Sequence, residues 1–416
     1  MPDIGDLRQR QALPLGAKIL MSQSRIREWY NHFDGNVYVS FSGGKDSTVL
    51  AHIVRDMYPD VPLVFSNTGL EYPEIQSFAR KMGAEFVRPK MRFDEVISNY
   101  GYPIISKEVT EAIYYARRIR KENEELEAVR RRGDLTGTRM THAEHKWLDL
   151  TGQRTFERYS KTTDQKRNEF NGERKNIRRK MLTGSDDFSK AEKSLFNKEK
   201  WLPLCRETQF VLSNKCCSVM KKSPIQNYQR KTKRKPFIGT LAEESKLREQ
   251  AWFKHGCNAF ESKKPTSQPM SFWTEQDILK YIKENGIEIA SVYGDIVGVD
   301  GDGMQYELLP GIDCQLKCSG CQRTGCIFCG FGAHLEKGET RFQRLAKTHP
   351  KQYEYCMRGG QWVDNPNYDP SAPEYDGEWK NWNPKKIWVP SKKGLGMKKV
   401  FDDCNAIYGK DFIRYE

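Results

Sequence analysis

No stretch of the 416 residues approaches the roughly 18 apolar residues that a membrane-spanning helix needs. The opening MPDIGDLRQRQALPLG has no apolar core of the secretory type. Apolar residues make up 37% of the chain, and its mean hydropathy is −0.78. These absences argue against a membrane protein and a secreted one, so a cytoplasmic chain is expected. No internal repeat is present, which removes solenoid architectures. The length gives a prior of two to three domains at roughly 150 residues each, with enough chain to bury a core unaided by disulfides. The eleven cysteines therefore need a reading other than disulfides.

The charge is unevenly placed. The net charge is +14. Residues 107–248 hold 35 Lys and Arg against 20 Asp and Glu, while the rest hold 34 against 35. One block carries the whole surplus, including Arg117-Arg118-Ile119-Arg120-Lys121, Arg130-Arg131-Arg132, Arg178-Arg179-Lys180 and Arg230-Lys231-Thr232-Lys233-Arg234-Lys235. Such clusters attract phosphate backbones through counterion release. Tyr114, Tyr115, Trp147, Phe156, Tyr159 and Phe170 interleave with them, as stacking on unpaired bases requires. DNA or tRNA is the partner this suggests; a solvated insertion is the plainer alternative.

Along the chain, a helix is expected over 17–33, then a strand at Val37-Tyr38-Val39, a Gly turn and a helix over 46–57. Residues 62–66 and 84–87 read as further strands, and Pro73 opens a helix, where proline fits the first turn. Strands alternating with helices predict an α/β fold with a doubly wound parallel sheet. The expected division is 1–106 and 201–300 as the two parts of one nucleotide-binding domain, 107–200 as a basic, largely helical insertion, and 301–416 as a Cys-rich segment and extension. Phe237 to Thr240 reads as a strand, and a helix with a Thr274 cap runs to Glu284. Residues 359–390, with Trp362, Trp379, Trp382 and Trp388, read as a long loop or surface lid. His142 and His145 read as a surface helix pair.

The sharpest motif is Ser42-Gly43-Gly44-Lys45-Asp46-Ser47, after a strand and opening a helix. Two glycines let the backbone approach a phosphate, and the helix N-terminus offers unpaired N–H groups and the positive end of its dipole. Ser42 and Ser47 add hydroxyls, and Lys45 adds charge. It is not a Walker A loop, which needs four residues between its first Gly and Gly-Lys.

This motif resembles the pyrophosphate loop (PP-loop) of the adenine nucleotide alpha hydrolase superfamily. Asn67-Thr68-Gly69-Leu70-Glu71-Tyr72-Pro73-Glu74 resembles a segment of its phosphoadenosine phosphosulfate (PAPS) reductase family, with Asn67 in place of Asp. Asn214-Lys215-Cys216-Cys217, Gly239…Glu244-Ser245…Arg248 and residues 269–282 extend the likeness. The resemblance implies that Thr68 and Gly69 lie near adenine and ribose, and that Glu244 and Arg248 line the nucleotide site. It departs at Leu241, where the family carries a sulfate-binding Arg, and at the C-terminus, which lacks the family's Glu-Cys-Gly-Leu-His tail.

Cys326-Ile-Phe-Cys329 is spaced so that both sulfurs reach one metal centre, and it needs a second pair. Resemblance to the iron–sulfur members of the family implies a [4Fe-4S] cluster on Cys216, Cys217, Cys326 and Cys329. Cys257 or Cys205 could replace one of the adjacent pair, and structural zinc is the alternative metal. Cys314-x3-Cys318-x2-Cys321 has radical S-adenosylmethionine spacing, yet only 95 residues follow Cys321, too few for the barrel usual after that motif. It reads as a loop or a second zinc-like site. Cys356 and Cys404 read as packing residues.

Three functions are expected to compete. The first, which the resemblance implies, binds ATP with Mg²⁺, for which Asp46 is a candidate ligand directly or through water, and adenylates an acceptor, releasing pyrophosphate in nucleic-acid thio-modification. Lys45, Asp46 and Arg248 would be its catalytic residues and a cysteine desulfurase its sulfur source. The second reduces PAPS or APS to sulfite with a thiol reductant. The third is a nucleotide-sensing DNA-binding regulator without turnover.

Overall fold

A computed structural model describes residues 3–114, 117, 199–299, 305–306, 315–372 and 382–416. Nearly all of the basic insertion, with His142 and His145, lies outside the described residues, as do Cys314 and Trp379. The chain forms two compact units, residues 1–93 with 217–327 and residues 94–216 with 328–416.

The first unit opens with helices α1 (Ile4–Gln11) and α2 (Leu15–His32). Strand β1 (Val37–Phe41), helix α3 (Lys45–Met57), strand β2 (Leu63–Ser66), helix α4 (Pro73–Lys81) and strand β3 (Glu85–Val87) follow. Strand β4 (Ile104–Ile105) belongs to the second unit. The first unit resumes with β5 (Lys235–Ile238), β6 (Asn258–Ala259) and β7 (Thr266–Ser267). The sheet order is β3-β2-β1-β5-β7-β6. All pairs are parallel except β6 with β7. This is the expected α/β fold built on a mainly parallel sheet.

The central strand is apolar almost throughout because both of its faces are covered. Val37, Tyr38, Val39 and Phe41 are buried. Its register sets Val39 beside Leu63 and Phe237. Helix α3 buries Val49, Leu50, Ile53 and Val54, an amphipathic stripe at helical spacing. Lys18 of α2, only 2% exposed, is paired with Asp277 at 2.6 Å. Asp277 closes the capping box begun by Thr274 on helix Glu275–Glu284, so one carboxylate both caps a helix and neutralises a buried cation. A smaller antiparallel sheet, β10-β8-β9, is built from Ile296–Val299 (β8), Gln305–Tyr306 (β9) and Gln315–Cys318 (β10).

In the second unit β4 pairs in parallel with β11 (Gly330–Phe331). Helices Arg341–Thr348, Pro350–Met357 and Met397–Tyr408 enclose Cys356 and Cys404, both fully buried. Residues 359–390, expected as a loop, instead begin and end in an antiparallel pair, β12 (Gln361–Asp364) and β13 (Lys386–Val389). Trp362 meets Trp388 edge to face across it, with centroids 5.4 Å apart. That cross-strand aromatic contact suits a two-stranded ladder; the intervening Gly, Pro and Asn hid it from the sequence pattern.

Candidate functional site

The loop 42–47 lies at the C-terminal end of β1, the edge where ligands sit in open α/β sheets. The loop after β2, carrying Thr68 and Gly69, starts from the same edge. Gly43 has φ +71°, and a Cβ there would stand 2.7 Å from Ile75 Cγ2. Gly44 caps α3. Ser42 Oγ and Ser47 Oγ are 2.9 Å apart. Gly44 N–H donates to Ser42 Oγ at 3.3 Å, and Ser42 N–H donates to Ser47 Oγ at 3.2 Å. The two hydroxyls thus hold the loop curled around the α3 N-terminus, the shape an anion needs.

Lys45 is buried, and its ammonium is paired with Glu275 and donates to the Gln322 carbonyl at 2.9 Å. Lys45 N–H donates to Tyr293 Oη at 3.4 Å, and Tyr293 Oη is 2.6 Å from Thr324 Oγ1. Glu275 N–H donates to Glu243 at 2.7 Å. Burial raises the Asp46 carboxyl above the ordinary Asp value; Lys45 and Arg323 oppose the rise and Glu275 adds to it. Glu243 is raised by burial as well. The loop is therefore ringed by alternating cations and carboxylates from widely separated parts of the chain.

The phosphoadenosine phosphosulfate reductase domain model matches residues 36–149 and 153–330, well over half of the chain. The chain belongs to that family. A comparison with curated proteins finds no match. Among solved structures the chain is similar to the crystal structure of phosphoadenylyl-sulfate (PAPS) reductase from Candida auris in a phosphate complex. That match has 11% identity and a TM-score of 0.31, covering 70% of this chain and 91% of that one.

Of the residues the family resemblance implied, Glu244 is committed to neighbours. It is ion-paired with Arg248, accepts from Arg323 Nη2 at 3.2 Å and accepts from Leu241 N–H at 3.0 Å. Its carboxylate thus meets two guanidiniums. Thr68 Oγ1 donates to Glu71 at 2.6 Å and accepts from Leu70 N–H at 3.1 Å. It shapes the loop after β2, whose exposed Gly69 takes φ +73°.

Sequence reasoning missed Glu243, Glu275, Tyr293, Gln322, Arg323 and Thr324. The local signal was weak, because each lies roughly 200 to 280 positions from the loop it meets. Arg323-Thr324 does directly precede Gly325-Cys326, and the family motif drew attention only to the cysteine.

Cys217 and Cys326 belong to the first unit, Cys216 and Cys329 to the second. Cys217 caps a π-turn, Ser218–Lys222, a distortion common at functional positions. Burial disfavours the Lys221 ammonium, yet Cys326, Glu71 and Cys217 together hold its pKa above the ordinary lysine value. Two of the four expected ligands thus act on one cation. Among the described residues, no group of three or more His, Cys, Asp or Glu side chains is gathered for a metal ion. Cys205 is buried, with its thiol pushed up to about 11. Cys257 is buried and accepts from Ser271 Oγ at 3.5 Å. Cys318 is buried, its thiol raised by burial and drawn back by Lys45. Cys321 Sγ donates to the Arg323 carbonyl at 2.9 Å. Of the stretch read as a loop or zinc-like site, Cys318 and Cys321 thus lie near Lys45 and Arg323.

Proposed function

We propose that this member of the family is an ATP-using sulfur-transfer enzyme. It takes ATP with Mg²⁺ in the PP-loop, passes AMP to an acceptor and releases pyrophosphate. The observation that carries this reading is the seat at 42–47: a helix N-terminus, paired serines and a buried Lys45 in one turn. Leu241 favours ATP over a sulfonucleotide. It is buried and uncharged, at the position where the resemblance implies a sulfate-binding Arg.

Catalysis in such a site is mostly positioning and electrostatic stabilisation. Phosphate oxygens would draw Lys45 from Glu275 and the Gln322 carbonyl. Asp46 would hold Mg²⁺, which needs one or two carboxylates besides the substrate's own oxygens. When bound, the ion would neutralise charge building on the leaving pyrophosphate.

A [4Fe-4S] cluster on Cys216, Cys217, Cys326 and Cys329 belongs to the same proposal. The thiolate set suits iron–sulfur chemistry, and the charge on Lys221 favours deprotonated sulfur at Cys217 and Cys326. Such a cluster would supply electrons or sulfide. The acceptor we propose is DNA or tRNA, held by the basic block, with a cysteine desulfurase as sulfur donor. The second reading, reduction of PAPS or APS to sulfite by a thiol partner, draws on the family itself.

The deciding measurement is anaerobic turnover of the intact chain with ATP or PAPS, assaying pyrophosphate and sulfite. Pyrophosphate from ATP, raised by DNA or tRNA and reduced about a hundredfold in Lys45→Ala, is the expected result. Sulfite from PAPS with ATP inert would replace this reading with the reductase. Iron and sulfide counted in the same preparation, and absent from Cys217→Ala and Cys326→Ala, would support the cluster; zinc alone would reject it.

A further inference from the structure

The segment Gln322-Arg323-Thr324 is tied to the phosphate loop on both sides of its arginine. Upstream, the Gln322 carbonyl accepts from Lys45 Nζ at 2.9 Å. Downstream, Thr324 Oγ1 is 2.6 Å from Tyr293 Oη, the acceptor of Lys45 N–H. A Cβ on Gly44 would stand 3.3 Å from that same Tyr293 oxygen. These two anchors hold the backbone on either side of Arg323 beside the loop. The approach is reinforced from below, since a Cβ on Gly320 would stand 2.6 Å from the Val292 carbonyl and 2.9 Å from Tyr293 C. Only a glycine there lets the strap lie this close.

The side chain of Arg323 is 68% exposed. Its Nη2 donates to Glu244 Oε1, and the other oxygen of Glu244 holds Arg248. Two guanidiniums offer ten N–H donors, whereas one carboxylate has about four lone-pair sites. Most of their hydrogen-bonding capacity thus exceeds what Glu244 can accept. The two cations are close enough to oppose each other: burial lowers the Arg248 pKa, and Arg323 lowers it further. An anion arriving between them relieves that repulsion. Asp46 also lies within the field of Arg323.

We propose that Arg323 is a further phosphate-binding residue of this site. It would be delivered by the strap between the Cys318 and Cys326 cysteines and aimed at the outer phosphates, the pair that leaves as pyrophosphate. The proposal rests on the ATP reading in its choice of phosphate and not in its choice of ligand class, which is a pyrophosphate group. Glu244 acts through Arg323 and Arg248, as a positioning residue.

The test is equilibrium binding to the intact chain of inorganic pyrophosphate, ATP, AMP and PAPS, comparing wild type with Arg323→Gln and Arg323→Lys. Because the side chain is mostly exposed, both variants should fold, and unchanged melting checks this. The expected result for Arg323→Gln is about a tenfold or greater loss of affinity for pyrophosphate and ATP. AMP affinity should be unchanged, and Arg323→Lys should recover part of the loss. Wild-type pyrophosphate affinity in Arg323→Gln would overturn the proposal, as would an equal loss for AMP or no pyrophosphate binding by the wild type. If PAPS is turned over to sulfite while ATP is inert, the functional reading falls, and the pyrophosphate comparison still decides the role of Arg323.

Discussion

Under the proposed function, Asp46 would serve the site at the expense of stability. Its carboxyl is raised by burial, with Lys45 and Arg323 opposing and Glu275 assisting. A carboxyl raised in the folded state binds protons that the unfolded chain releases. Stability therefore falls as pH climbs from the ordinary Asp value through the raised one. Asp46→Asn removes the buried charge. We expect its melting temperature at neutral pH to rise by roughly 2–4 °C, equivalent to about 1 kcal/mol. Pyrophosphate release from ATP should fall about a hundredfold. Calorimetry alongside the turnover assay checks both, and a lowered melting temperature would mean that Asp46 holds the fold together. At this scale the sequence could single out Ser42, Lys45, Asp46 and Ser47 as candidates because they share one short stretch. It had no access to Glu275 or Tyr293, whose contact with the loop depends on a chain reversal more than 200 residues later.

At the scale of elements, the β1–loop–α3 unit depends on two glycines for different reasons. Gly43 needs its left-handed φ, and Ile75 Cγ2 already fills the space that a Cβ there would take. Gly43→Ala should cost about 1–2 kcal/mol and also weaken nucleotide binding, as read by urea denaturation and ATP titration. Gly239, just beyond β5, lies under the turn, where a Cβ would stand 3.0 Å from the Asp46 carbonyl oxygen and 3.1 Å from Ser47 Cα. Gly239→Ala should displace the start of α3 and weaken ATP binding more than it lowers stability. Elements of the nucleotide-binding half were legible because parallel strands are continuous apolar runs separated by helical periodicity. The helices at 341–357 carried signals of their own, the Thr340–Gln343 capping box and Pro350 at a first turn. Strands of two residues, such as β6, β7 and β9, carry no periodicity at all, and only their partners define them.

For the molecule as a whole, the described basic cluster at 230–235 can be placed within the first unit. Arg230, Lys231 and Lys233 are exposed and immediately precede β5, whose Lys235 is in register with Val37 at the start of β1. The phosphate loop follows the other end of β1, roughly 13 Å of strand away. Nucleic acid gripped at 230–235 would thus lie at the sheet edge opposite the nucleotide. The double substitution Arg230→Gln with Lys231→Gln should weaken DNA or tRNA binding. Its log–log salt slope should shrink by about 0.9 for each duplex phosphate that the protein no longer neutralises. Pyrophosphate release with ATP alone should be unchanged. Binding measured between low and moderate salt checks this, and an unaltered slope would remove this cluster from the interface.

Neighbouring residues alone sufficed for the parallel α/β class, for the order of β1, α3, β2, α4 and β3, and for the Gly-rich turn between β1 and α3. Tertiary structure alone decided what surrounds that turn. It paired Lys45 with Glu275, set Tyr293 beneath Gly44, turned Glu244 toward two arginines, and carried Arg323 to the mouth of the loop. The physical reason is that charges and hydroxyls interact over a few ångströms of space whatever their separation in the chain, whereas sequence patterns report only what lies within a turn or two of helix or strand.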